Sequence, residues 1–211
     1  CALPIYIIYR VELFDYDEVG NITYQAITDS KELFAKREVS YTYYDNNLID
    51  TITDSSGAYT KYSYDRNGNV TETQRLRQEG IYDIEKFEYD EMNRLEKNIK
   101  LVDEEDIYNI EGFANISSLR DEEYTGKIKL ITGYEYDILG NRTKQINPEA
   151  YQYSEEDIEN RDNYSIVFTY DILNRLDKII RKYKGQDIFQ QYFYDEVGNR
   201  KEERNERGYR T

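Results

Sequence analysis

The sequence predicts an all-β protein, a repeat array of antiparallel β-hairpins forming one long, twisted sheet. Three observations carry this. A short motif, aromatic-x-Tyr-Asp-x-x-Gly/Asn, recurs from residue 14 to residue 200. The segments on either side of it alternate apolar and polar residues with period two, as half-buried strands do. And 24 of the 211 residues are tyrosine, a side chain that buries a ring while keeping its hydroxyl in contact with polar partners.

Six good copies align at 14–22 (FDYDEVGNI), 62–70 (YSYDRNGNV), 87–95 (FEYDEMNRL), 134–142 (YEYDILGNR), 168–176 (FTYDILNRL) and 192–200 (YFYDEVGNR). A degenerate, shortened copy sits at 43–48 (YYDNNL), with Tyr44 read as its motif tyrosine. The unit is about two dozen residues long, with insertions. The long step between Tyr89 and Tyr136 holds either a lost copy or one excursion.

Each copy has a direct conformational reading. Asp opening and Gly closing a four-residue stretch is the pattern of a type I turn, and a left-handed fourth residue makes it a hairpin loop closed by a bulge. The pairs Asp17/Gly20, Asp65/Gly68, Asp137/Gly140 and Asp195/Gly198 fit it, and Asp90/Asn93 and Asp171/Asn174 use the residue that best replaces Gly there. The motif tyrosines Tyr16, Tyr64, Tyr89, Tyr136, Tyr170 and Tyr194 directly precede the aspartates. Ahead of one turn, Ile128, Leu130, Thr132, Tyr134 and Tyr136 alternate with the residues between them. Ahead of others, Tyr164, Ile166, Phe168 and Tyr170 share a face, as do Ile188, Tyr192 and Tyr194. No segment carries a sustained helical stripe.

Two acidic insertions, 103–126 with DEED and DEE and 147–163 with SEEDIENRDN, interrupt the array. They read as solvated loops, with a short helix after Ser154 where Ser-Glu-Glu-Asp resembles a capped start. The functional reading makes them partner-contact excursions. The apolar opening at 1–9 (CALPIYIIY) reads as a buried strand, the cut edge of a longer chain, or a processed terminus bearing Cys1; the cut edge is the expectation. It is far shorter than a bilayer span.

Composition excludes several functions. With 43 acidic and 28 basic residues the net charge is -15, so the global field repels nucleic acid and anionic membranes. Histidine is absent and Cys1 is the one cysteine, which removes intrachain disulfides and the usual zinc sites, Ser-His-Asp triads and Cys-His dyads. The high charge content would suit a disordered chain, but such chains are poor in aromatics, which here make up 15%. No cofactor is expected. No two of the carboxylates are singled out as a catalytic pair, so the chain does not read as an enzyme.

These copies resemble the YD repeats of the Rhs family, found also in wall-associated bacterial proteins, insecticidal toxin complexes and teneurins. The resemblance covers roughly Phe14 to Arg200. It implies a β-strip spiralling around a hollow interior, a shell that encloses a toxic polypeptide, and for some members carbohydrate binding. A chain of this length supplies only part of such a shell. It contains no Asp-Pro and no proline- and glycine-rich closing sequence, so self-cleavage is not expected.

The leading expectation is therefore a non-catalytic scaffold across 1–211, part of a secreted or surface-exposed bacterial toxin. Its partners would be polypeptide cargo or neighbouring shell segments, and raw sheet edges leave self-association open. The alternative is a carbohydrate or cell-surface binding module. Its contacts would fall on tyrosines outside the motif, such as Tyr59, Tyr124, Tyr151 and Tyr153. The recurring aspartates read as turn-openers in preference to calcium ligands, because no DxDxDG loop is present. Arg94, Arg142, Arg175 and Arg200 are expected to pair with them across the hairpins.

Overall fold

The computed structural model describes residues 10–29, 36–78, 80–107, 112–113, 115–183, 186–206 and 208–210; the opening segment at 1–9 lies outside them. The described residues form fifteen β-strands, and the chain divides into two compact units, Cys1–Glu85 and Lys86–Thr211. In the first, β1 (Arg10–Tyr16), β2 (Ile22–Asp29), β3 (Arg37–Tyr43), β4 (Ile49–Asp54), β5 (Tyr59–Tyr64) and β6 (Val70–Gln78) are antiparallel neighbours in chain order. β7 (Ile81–Tyr89) runs across the division. The second unit holds β8 (Leu95–Asp103), β9 (Lys127–Tyr136), β10 (Arg142–Ile146), β11 (Ser165–Tyr170), β12 (Leu176–Tyr183), β13 (Gln186–Tyr194), β14 (Arg200–Asn205) and β15 (Gly208–Arg210), also antiparallel in chain order. The all-β array of hairpins expected from the motif is the observed architecture.

Because every strand reverses its predecessor, alternate connections fall on opposite edges. In the first unit the turns at 17–21, 44–48 and 65–69 share one edge; in the second so do those at 90–94, 137–141, 171–175 and 195–199. The ladder also shifts register just past these turns. Asp15 pairs Tyr24 while Tyr16 pairs Ile22, and the same one-residue bulge recurs beside Tyr43, Tyr64, Tyr136, Tyr170 and Tyr194. Bulges increase local twist and re-aim side chains, so these six repeats carry the same bend at the same place.

The first unit has little fully buried matter: Ala26 and Ile84 among the described residues. Most of its described side chains are half-buried or exposed. The second unit differs because its insertions fold. α1 (Glu104–Ile107), 3-10 turns at Ile116–Leu119 and Pro148–Gln152, and α2 (Ile158–Asp162) occupy the edge opposite the motif turns. Ile107, Leu119 and Ile128 are essentially fully buried together, with Val102, Phe113, Ile116, Leu130 and Tyr151 packed around them. The reading of the insertions as solvated loops is thus corrected: many of their acids are exposed, but Ile107 and Leu119 join Ile128 of β9 in a fully buried cluster. Among the described residues, the long step before Tyr136 is one excursion and contains no lost repeat.

Gln152 ties the two insertions together. Its Nε2 donates to the Gly112 carbonyl at 2.6 Å and its Oε1 accepts from the Asn115 amide at 3.1 Å. α2 is capped by Asp157, whose carboxylate accepts from the Asn160 amide, so the helix starts three residues beyond the expected Ser154. Tyr151 lies so close over Gly133 that a Cβ at that position would run into the tyrosine oxygen. Glycine fits there by close approach, since a side chain at that position would crowd the Tyr151 hydroxyl.

Candidate functional site

The motif residues form one device repeated along the turn edge. In the turn at 137–141 the Asp137 amide donates to the Asn141 carbonyl at 2.9 Å and the Gly140 amide to the Asp137 carbonyl at 3.1 Å. Gly140 has φ 88°, the left-handed geometry that the Asp-x-x-Gly spacing requires. Asp137 Oδ1 accepts from the amides of Leu139 and Asn141, and Oδ2 from the Asn141 side chain, each at 2.9 Å. The carboxylate therefore closes the loop from within.

The other three glycine turns repeat this geometry. Gly20 (φ 94°), Gly68 (φ 87°) and Gly198 (φ 91°) are all left-handed. Their amides donate to the carbonyls of Asp17, Asp65 and Asp195 at 3.2, 3.2 and 3.1 Å. A Cβ on Gly20, Gly68, Gly140 or Gly198 would meet nothing within 4 Å. These positions are thus held to glycine by backbone conformation and not by a neighbour, and the space beside them is open solvent.

Two forms of the aspartate clip occur. Where glycine is left-handed, asparagine follows and its amide reaches Oδ2: Asn21 on Asp17, Asn69 on Asp65, Asn141 on Asp137, Asn199 on Asp195. Where asparagine is left-handed, at Asn93 (φ 59°) and Asn174 (φ 62°), arginine follows instead. Arg94 Nε then donates to Asp90 Oδ2 at 2.6 Å and Arg175 Nε to Asp171 Oδ2 at 2.8 Å. The expected pairing thus holds for Arg94 and Arg175 and is corrected for the other two. Arg142 and Arg200 stand one residue further on, at the start of the returning strand, and lie over the rings of Tyr134 and Tyr192 at 5.2 and 5.0 Å.

Each of these aspartates is held below the ordinary carboxylate range. For Asp65, Asp137 and Asp195 the first cause is the side-chain bond from the asparagine four residues on, for Asp171 that from Arg175, and for Asp90 the Arg94 amide. In Asp17, burial pushes upward, but the bonds from Asn21, Val19 and Gly20 together outweigh it. Hydrogen bonds to the charged form favour that form.

The tyrosines bind one repeat to the next. Tyr136 Oη donates to the Leu95 carbonyl at 2.8 Å, Tyr170 Oη to that of Arg142 at 2.9 Å, and Tyr194 Oη to that of Leu176 at 2.7 Å. In every case the acceptor is the first residue of the strand leaving the preceding turn. The turns are also cross-linked: Arg94 Nη1 donates to the Asp137 carbonyl at 2.9 Å, Asn141 Nδ2 to Asn174 Oδ1, and Arg175 Nη1 to the Asp195 carbonyl at 3.5 Å. Arg94 and Arg175 lie over the Tyr136 and Tyr194 rings at 4.8 and 4.4 Å. Sequence alone places these tyrosines in a row. That their hydroxyls reach a neighbouring repeat's backbone is a tertiary fact.

The degenerate copy shifts the alignment by one residue. Asn47 is its left-handed residue (φ 63°), and the Tyr44 amide donates to the Leu48 carbonyl at 2.9 Å. Tyr44 therefore stands where the other copies have aspartate. Tyr43 is the motif tyrosine, its Oη donating to the Ile22 carbonyl at 2.7 Å. An eighth turn, Asp54–Ala58, is hidden from motif comparison because no tyrosine precedes it. It has the same clip, with Asp54 Oδ1 accepting from Ser56 and Ala58 amides at 2.8 and 3.1 Å and Gly57 at φ 86°. It lies on the opposite edge of the first unit.

The tyrosines expected to make ligand contacts each have a neighbour inside the chain. Tyr59 Oη lies 3.2 Å from Tyr82 Oη, Tyr124 sits under the Lys86 ammonium at 4.8 Å, and Tyr153 stacks on Tyr164 with centroids 6.0 Å apart. Tyr151 covers Gly133. A solvent-open aromatic feature does occur at the degenerate copy. Tyr44 and Tyr64 meet edge to face at 6.1 Å and, with Asp45, Asn46, Ser63 and Asp65, line a notch of about 480 Å³. Nearby Asp50 has a buried Oδ1 without a hydrogen-bond partner. Among the described residues no cluster of three or more acidic or thiol side chains is arranged to hold a metal, and no helix is long and apolar enough to cross a membrane.

No protein-family model matches this sequence, and no curated protein matches it. Among solved structures the chain is similar to the TcdB2-TccC3-TEV toxin-complex structure, at 14% identity and a TM-score of 0.48, covering 90% of this chain and 11% of that one. It is similar also to the Tc holotoxin pore of Photorhabdus luminescens, at 14% identity and a TM-score of 0.36, covering 93% and 12%. A porin-like protein from Bacteroides uniformis ATCC 8492 aligns at 12% identity and a TM-score of 0.33, over 86% and 87%. The chain thus spans about a tenth of the length of the toxin-complex chains it matches.

Proposed function

We propose that this chain is a non-catalytic YD-repeat scaffold, a single array through residues 1–211 that forms part of an Rhs-type shell. The shell would enclose or present a toxin polypeptide in a secreted or surface-exposed bacterial protein. Its partners are that cargo and the neighbouring shell segments. The observation that carries the reading is how the motif's polar groups are used. The clip aspartates are occupied within their own turns, and Tyr136, Tyr170 and Tyr194 bond the preceding repeat. A motif spent on holding repeats together suits a wall, whose stability is a sum of neighbour contacts. Among the described residues, the carboxylates that depart from their ordinary value are lowered, whereas a general acid needs to be raised.

The test is protease protection. The protein is purified from secreting cells with whatever polypeptide accompanies it, and digestion of that polypeptide is followed with the array intact or carrying Tyr136→Phe, Tyr170→Phe and Tyr194→Phe together. Protection that is lost in the triple variant supports a wall. A companion digested equally fast in both, or no companion at all, counts against it.

One observation favours a second reading, carbohydrate binding. The notch beside Tyr44 presents a ring 39% exposed next to amide, hydroxyl and carboxylate groups, the combination that sugars take. A glycan array probed with the wild type and Tyr44→Ala checks it. Signals that persist in the variant remove the notch from consideration.

A further inference from the structure

The tips of the motif turns in the second unit carry side chains that the turns do not need. The two residues between Asp and Gly/Asn face solvent, and polar residues such as Arg66 and Asn67 serve there equally well. In the second unit they are Glu91-Met92, Ile138-Leu139, Ile172-Leu173 and Glu196-Val197. Ile138 is 91% exposed, Ile172 100%, Leu139 71% and Leu173 66%; Met92 and Val197 are similarly open. Scattered exposed apolar residues are ordinary, but these six are consecutive along one edge. The cross-turn bonds from Arg94 to the Asp137 carbonyl, Asn141 to Asn174 and Arg175 to the Asp195 carbonyl hold the four tips side by side.

From this row we propose a docking surface for an amphipathic α-helix of another chain, with an apolar stripe and basic residues at both ends. Two features select that occupant. The first is spacing. Successive tips are two strands apart, about 9.5 Å. Seven residues of α-helix, close to two turns, advance about 10.5 Å, so a helical stripe repeating every seven residues meets each tip in turn. Same-face residues of an extended strand repeat at about 6.7 Å and fall out of step. Four tips span about 29 Å, the length of about 19 helical residues.

Charge is the second. The row has an apolar centre, Ile138, Leu139, Ile172 and Leu173, and a carboxylate at each end, Glu91 and Glu196. A second copy of this chain is disfavoured, because two-fold pairing of the rows would set Glu91 of one copy against Glu196 of the other on proteins of net charge -15. Basic ends on the partner complement both carboxylates and the global field. This inference does not depend on the shell reading, since it concerns the turn tips alone.

The test uses the full chain and three designed peptides of about 19 residues. All are helical; one has a leucine stripe and lysine ends, one the same stripe and glutamate ends, and one lysine ends with serine in place of leucine. Binding is read by fluorescence anisotropy. The expected result is at least tenfold tighter binding of the lysine-ended leucine peptide than of either other. Ile138→Ser, Leu139→Ser, Ile172→Ser and Leu173→Ser together abolish it, and Glu91→Lys with Glu196→Lys makes the glutamate-ended peptide the better ligand. The charge-reversed variant keeps the test decisive if the serine variant folds poorly. Equal binding of all three peptides, or an unchanged order after charge reversal, overturns the proposal. So does sedimentation showing a dimer that the serine variant loses while neither protein binds peptide, or apolar-row-dependent partition onto zwitterionic lipid vesicles without peptide binding.

Discussion

The hydroxyls of the motif tyrosines offer an internally controlled measurement. Tyr136→Phe removes one bond, Oη to the Leu95 carbonyl at 2.8 Å, and leaves the ring and the Arg94 guanidinium over it in place. A bond of this kind contributes about 1 kcal/mol net, and the half-buried Leu95 carbonyl would regain part of that from water. Tyr170→Phe and Tyr194→Phe delete the same bond at the Arg142 and Leu176 carbonyls. Successive sites lie about two strands apart with no shared acceptor, so the triple variant should lose about 3 kcal/mol by addition. Tyr16 is the control. It occupies the same motif position, but it is 60% exposed and β1 is the first described strand, so Tyr16→Phe should cost about 0.3 kcal/mol or less. The assay is urea unfolding, with amide exchange at β8, β10 and β12 to localise the change. A triple variant as stable as the wild type, or a Tyr16→Phe loss matching that of Tyr136→Phe, would refute the idea that these hydroxyls join repeats.

Gly133→Ala drives a methyl group into Tyr151 Oη and should destabilise the second unit by about 1–3 kcal/mol; adding Tyr151→Phe, which removes the clashing oxygen, should recover much of it in thermal melts. Leu119→Ala empties the cluster between the insertions and the sheet and should cost about 2–5 kcal/mol by denaturant titration, whereas the same change in a solvated loop would cost almost nothing. The clip aspartates set an acid limb. Their folded values lie below the unfolded one near 3.8, so their stabilisation is complete above that value and is lost as pH falls through the lowered folded values. Asp137→Asn should therefore flatten the fall in stability below about pH 4, and an acid limb identical to the wild type would contradict it.

Much of the turn edge is legible in sequence because its causes are local. An aspartate that caps its own loop, a left-handed fourth residue and a strand on each side all act within nine residues. That is why 134–142 can be read as a hairpin without any knowledge of its neighbours. The Gly-Asn and Asn-Arg alternatives are visible too, although which arginine reaches an aspartate depends on a one-residue offset that strand direction resolves. The turn at Asp54–Ala58 escapes because the motif keys on a tyrosine that its backbone does not require.

What the sequence by itself determined is the repeating hairpin: its strands, its turn type and the positions that need Gly or Asn. These follow from backbone sterics and short-range hydrogen bonds, which depend on residues a few places apart. Tertiary structure alone decided that Tyr136 bonds the Leu95 carbonyl, that Tyr151 lies on Gly133, and that two acidic insertions share a core through Gln152. It also decided that four apolar turn tips stand in one row. Those outcomes join residues tens of positions apart, and their partners are set by strand order and by the bulge beside each turn, quantities that no single repeat contains.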